Sequence, residues 1–108
     1  MNLTMPPPLA AYFSADGSAD IDALEACFTR DAVVQDEGRT VRGLAAIRAW
    51  KLAARAKYRY HVEPLSALRE GATATVIARV AGSFPGSPVE LTYRFDLADG
   101  KIASLAIR

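Results

Sequence analysis

The order of patterns along the chain predicts an α+β fold: a curved antiparallel sheet of four long strands and one short strand, with three helices on its concave side. Two observations carry this expectation. Apart from one short apolar strand, the residues before Tyr58 follow a helical period, whereas those from Tyr58 onward alternate with a period of two. Turn signals at Glu70-Gly71, Pro85-Gly86 and Asp99-Gly100 then divide the alternating half into an antiparallel meander.

Pro6-Pro7-Pro8 suits a first helical turn rather than a helix interior, so Leu9 to Ala15 reads as a short helix stopped near Gly17. Asp20 can cap a second helix that carries Ile21, Leu24 and Phe28 on one face. The stretch "DAVVQDEG" follows as a short strand that runs into two carboxylates and a glycine. Either these acids are turn residues facing water, or one of them faces a cavity. Alternation puts Val34 and Asp36 on one side of the strand and Val33, Gln35 and Glu37 on the other, without saying which side is inward. Gly43 opens a third helix through about Arg55, with Leu44, Ile47, Trp50 and Ala54 as its apolar stripe and Arg48, Lys51 and Arg55 to the sides.

In the second half, "YRYHVEPLSALR" is a long strand whose Pro64 suits an edge or a bulge. "ATATVIARVAG" is its partner, and "SFPGSP" is a loop with Pro85-Gly86 at the centre of a type II turn. "VELTYRFDL" alternates Val89, Leu91, Tyr93, Phe95 and Leu97 against Glu90, Thr92, Arg94 and Asp96, and "KIASLAI" completes the sheet. Strands this long curve, with Pro64 and Gly82 as places to bend, and a curved sheet half-covered by helices leaves a conical cavity.

A chain of 108 residues without linker or repeat reads as one domain over residues 1–108. Thirteen basic and twelve acidic residues leave +1 with no block of like charge, so neither nucleic acid nor an anionic membrane is an expected partner. A small molecule or a second copy of the chain is. Cys27 is the one cysteine and His61 the one histidine, so no intrachain disulfide and no structural zinc site is expected. The start "MNLTMPPPLAAYF" lacks a leader pattern, and no apolar run approaches the roughly 20 residues a bilayer needs, so a soluble cytoplasmic protein is expected.

The stretch from "LAAYF" through "FTRDAVVQD" to "GLAAIRAW", with the layout of "VELTYRFDLADGKIASLAI", resembles the nuclear transport factor 2-like superfamily. Within it, the chain resembles the SnoaL-like polyketide cyclase and ketosteroid isomerase branch. The resemblance spans nearly the whole chain and implies a cone-shaped, cystatin-like fold. In the isomerases an aspartate is the base, while a tyrosine and a protonated aspartic acid stabilise the enolate. Counting from Phe28 without gaps, Tyr12 matches the family's oxyanion tyrosine and Asp36 its base. The third position departs: Tyr93, or else its neighbour Thr92, stands where the isomerases have the acid. The loop from Asp36 to Gly43 is also shorter than theirs.

These matches make Asp36, Tyr12 and Tyr93 the candidate catalytic residues, with Trp50, Leu91 and Phe95 expected to shape a pocket for a small apolar carbonyl compound. A carboxylate in an apolar pocket is desolvated and becomes a better base. The expected chemistry is proton removal next to a carbonyl, shared by isomerisation and aldol cyclisation; no cofactor or metal is implied. A ligand-binding or dimerisation module without catalysis is the alternative. The resemblance also implies a homodimer through the outer sheet face, where Arg79, Glu90, Thr92 and Arg94 suit a wet interface.

Overall fold

The structure is a computed structural model and describes residues 4–108; residues 1–3, part of the start read above for a leader, lie outside the described residues. Three helices precede and punctuate a six-stranded sheet: α1 Pro7–Gly17, α2 Ile21–Glu25, β1 Phe28–Asp36, β2 Arg39–Arg42, α3 Leu44–Lys57, β3 Tyr60–Glu70, β4 Thr73–Gly82, β5 Val89–Ala98 and β6 Lys101–Ile107. The strand order is β2-β1-β6-β5-β4-β3. The curled sheet does not close, because β2 and β3 remain as edges. The α+β expectation is met, with two refinements. The sheet has a sixth strand, β2, and β1 pairs with β6 in parallel rather than antiparallel.

Local chemistry sets most boundaries. Pro7 and Pro8 occupy the first turn of α1, where a missing N–H costs nothing. The Asp20 side chain caps α2 by accepting from the Ala23 N–H at 3.1 Å. α2 is shorter than its apolar spacing implies: it ends at Glu25, and Phe28 instead starts β1 opposite Ile102. Leu24 and Phe28 are both buried all the same, so the spacing marked core rather than helix. Glu37 and Gly38 at φ 52 and 74 make the tight hairpin that pairs Asp36 with Arg39 and creates β2. Asp99-Gly100, at φ 54 and 73, does the same between β5 and β6.

Pro64 sits on the edge strand β3, beside a register shift between Pro64 and Ser66. The turn after β3 falls on Gly71-Ala72, one residue later than the sequence signal, since Glu70 still pairs with Thr73. Pro85-Gly86 forms the expected turn, with Gly86 at φ 86 and the Ser87 N–H bonded to the Phe84 carbonyl at 3.3 Å.

The core lies between the helices and the inner sheet face, where Leu9, Leu24, Phe28, Val34, Ile47, Val76, Phe95 and Ile102 lose nearly all exposure. Tyr12 meets Phe28 and Phe95 edge to face at 6.0 and 5.7 Å. Each such pair contributes about 0.5–1.5 kcal/mol beyond burial. Ile77, Arg79, Glu90, Thr92 and Arg94 face outward and are exposed.

Candidate active site

A cavity of about 460 Å³ lies under the concave sheet face, between α3, the inner faces of β4 and β5, and the Phe84-Pro85 turn. Its wall is mostly apolar, formed by Val80, Val89, Leu91, Ile107 and aromatic rings. Polar side chains reach it from several elements: Asp36 from the end of β1, Lys51 from α3, Tyr60 from β3 and Tyr93 from β5, with Glu37, Tyr58 and Arg108 also in the lining.

The Glu37-Gly38 turn ends β1 at Asp36, whose alternation partner Val34 is fully buried. Asp36 is thus half-buried on the inner side, while Glu37 is exposed at the rim. The Asp36 Oδ2 accepts a hydrogen bond from Trp50 Nε1–H at 3.1 Å. Among the described residues no donor reaches Oδ1. Trp50 and Asp36 also border a second cavity of about 460 Å³ between α3 and β2, so their bond stands between two spaces.

Tyr93 is 5% exposed, and its phenol is pushed above the ordinary tyrosine range by burial, with the Asp16 and Asp36 carboxylates adding to it. Trp50 and Leu91 line the same cavity. Two of the expected residues lie behind it. Phe95 is fully buried among Tyr12, Phe13 and Tyr93 and does not line the cavity, because two residues along a sloping strand carry it into the core. Tyr12 is likewise fully buried one layer behind the lining, with its hydroxyl against Lys51.

That contact belongs to a cluster absent from the sequence reading. Lys51 Nζ donates to Tyr12 Oη at 3.2 Å and Tyr60 Oη at 3.1 Å, and lies 3.2 Å from Asp16 Oδ1. The same Asp16 oxygen accepts from Arg55 Nη2 at 3.2 Å and from the Tyr60 hydroxyl at 3.0 Å. Arg55 also donates to the Ala15 and Asp16 carbonyls. Lys51 is only 3% exposed and lies 4.4 Å from the Trp50 ring centre. Burial pulls its ammonium below the ordinary lysine range, and the Asp16 carboxylate opposes that. Burial also pushes the Tyr12 and Tyr60 phenols up, with Asp16 next in effect for both.

A faint sequence signal existed. Tyr12 and Asp16 are four residues apart on α1, and Ile47, Lys51 and Arg55 follow at the same step along α3. Each set therefore shares one helix face. His61 is exposed on β3, and Cys27 is buried with its thiol donating to the Ala23 carbonyl at 3.3 Å. Among the described residues no group of three His, Cys, Asp or Glu side chains could hold a metal ion. No helix among them is long and apolar enough to cross a membrane.

The sequence pattern of the SnoaL-like domain matches residues 9–105. The chain belongs to the SnoaL-like family. A Sinorhizobium meliloti protein named "putative polyketide cyclase" is 47% identical and superposes with a TM-score of 0.95, over 96% of this chain and 95% of that one. A Catenulispora acidiphila protein with a ketosteroid isomerase-like fold, solved with trimethylamine, is 25% identical, with a TM-score of 0.85 over 97% and 86% of the two chains. A cystatin-fold protein from Novosphingobium aromaticivorans, 20% identical over 99% of both chains with a TM-score of 0.81, shares the fold. No curated protein matches. The SnoaL-like membership therefore carries the nuclear transport factor 2-like, cystatin-like architecture expected from the sequence.

Proposed function

We propose that this SnoaL-like protein is an enzyme that removes a proton next to the carbonyl of a small, largely apolar compound held in the cavity. The observation that carries this reading is the half-buried Asp36 in the wall of an apolar cavity, with one carboxylate oxygen fixed by Trp50 and the other free of donors among the described residues. Asp36 takes the proton from carbon, the C–H electron pair becomes the new C=C bond, and the carbonyl electrons move to oxygen. The Tyr93 hydroxyl, on the same wall, donates to that oxygen as charge develops. Tyr12 acts from behind through Lys51. Trp50 and Leu91 shape the pocket, with Phe95 supporting Tyr93 from the core. Returning the proton to another carbon gives isomerisation; attack of the enolate on a second carbonyl gives cyclisation. The S. meliloti relative's name supports the second outcome.

The protein is further proposed to act as a homodimer through the outer sheet face, where Ile77 and Leu68 stand exposed. The chemical test is deuterium exchange at carbon in a panel of cyclic and linear ketones, followed by proton NMR. Wild type should exchange at least one ketone, and Tyr93→Phe should slow that exchange roughly 10²–10³-fold, the usual effect of losing one oxyanion donor. Exchange that is unchanged in both Tyr93→Phe and Asp36→Asn would overturn these assignments, and no exchange above background with any ketone would leave a ligand-binding module without catalysis.

A further inference from the structure

Lys51 is a buried charge to which the proton transfer described above gives no part beyond its contact with Tyr12. Stability alone is a weak reason for a lysine here, because replacing a whole buried ion pair by apolar side chains is commonly neutral or stabilising. Its surroundings fit an ammonium: Tyr12 Oη, Tyr60 Oη and Asp16 Oδ1 are three acceptors for three donors. The charges do not cancel. One Asp16 carboxylate faces two cations, Lys51 and Arg55, each 3.2 Å from the same oxygen. The cluster thus carries one positive charge in excess.

That excess faces the cavity. Arg55 turns to the Ala15 and Asp16 carbonyls and is not part of the lining, whereas Lys51 is. Ionisable neighbours come from several packed elements, and Tyr58, just after α3, lines the same cavity. Tyr12 and Asp16 belong to α1, Arg55 to α3, Tyr60 to β3, Tyr93 to β5 and Asp36 to the end of β1, with Glu37 and Arg108 at the rim. Asp36 is the nearby counter-charge within the cavity, and it disappears when Asp36 takes a proton. The Tyr12 hydroxyl accepts from Lys51, and its own proton has no acceptor among the described residues.

We infer that Lys51 supplies the cavity's fixed positive charge and makes it select oxyanions, binding enolates and phenolates in preference to the corresponding neutral ketones and phenols. Lys51 with its Asp16-Arg55 support then takes the part of the acid that Tyr93 replaces. Applied to catalysis, this rests on the carbonyl-activating reading above; as a statement about binding, it stands separately.

The probe is 2-naphthol, whose phenol and phenolate forms absorb at different wavelengths. Bound naphthol is titrated with wild type, Lys51→Met and Asp16→Asn, its proton leaving to water. Wild type should lower the ionisation midpoint by about one pH unit from the free value, a tenfold preference for the anion. Lys51→Met should abolish the shift. Asp16→Asn, which removes the carboxylate and leaves both cations, should enlarge it. A merely structural lesion would not strengthen anion binding, so Asp16→Asn decides alone if Lys51→Met does not fold. A wild-type midpoint at or above the free value, a shift that survives Lys51→Met, an Asp16→Asn midpoint no lower than wild type, or no binding at millimolar naphthol overturns the inference. Failure here with Asp36-dependent ketone exchange intact leaves the proposed reaction standing; the shift without any exchange removes the reaction and leaves the anion site.

Discussion

The Asp16-Lys51 pair should behave as one unit in unfolding. Asp16→Ala removes the carboxylate that three donors share at 3.0–3.2 Å and leaves Lys51, 3% exposed, beside Arg55. Stranding a buried charge in this way costs about 3–5 kcal/mol. Lys51→Met is milder, because Asp16 keeps Arg55 and Tyr60; losing hydrogen bonds to a charged group puts it at about 1.5–3 kcal/mol. In the double variant no ammonium is stranded, and Arg55, with 18% side-chain exposure, can reach water. The double should therefore cost about as much as Asp16→Ala alone or less, a coupling of about 2 kcal/mol, near the middle of the range for residues in one network. Urea unfolding of the four proteins measures it, provided the slope with denaturant stays constant. Costs that simply add within about 0.5 kcal/mol would refute the shared network.

Alkali should unfold the protein steeply. Tyr12, Tyr60 and Tyr93 have raised phenol pKa values, so their contribution is complete below about pH 10 and is lost as pH climbs toward the folded values. The loss reaches up to about 4 kcal/mol per pH unit for three phenols. Lys51, lowered when folded, has the opposite sign: its contribution is complete above about pH 10.4 and is lost as pH falls through the folded value. Urea midpoints that stay constant between about pH 10 and 11.5 would contradict the burial of these phenols. Gly82→Ala should destabilise by more than about 2 kcal/mol, because its Cβ would press on the Arg59 carbonyl and come within 2.8 Å of Tyr60 Cα; a thermal midpoint within a degree of wild type would contradict that. Light scattering at micromolar concentration should give a dimer that Leu68→Arg together with Ile77→Glu converts to monomer, and a monomeric wild type would remove the outer-face contact.

Much of the fold was legible because it rests on local chemistry. The Asp20 cap, the Pro64 irregularity on an edge strand and the Asp99-Gly100 hairpin each follow from what those side chains allow at the backbone. Alternation also made Val34 and Asp36 one face, and the fully buried Val34 identifies that face as inward. β2 escaped because "RTVR" is short and mostly polar; it exists only because Glu37-Gly38 turns the chain back against β1. Parallel pairing of β1 with β6 joins segments far apart in sequence, which no local pattern encodes. The charged cluster was hidden for a related reason. Lys51 reads as a solvated helix residue until Asp16, thirty-five positions earlier, supplies its partner. Exposed Leu52 beside buried Lys51 reverses the usual preference on α3.

Proton abstraction by Asp36 is tested most directly by the rate of deuterium incorporation into the best-exchanging ketone of the panel, measured by proton NMR for wild type and Asp36→Asn. General-base catalysis contributes about 10²–10⁴-fold, so Asp36→Asn should fall by at least about a hundredfold while a urea midpoint near wild type shows that the variant is folded. Equal rates in the two folded proteins would contradict the assignment of Asp36 as the base.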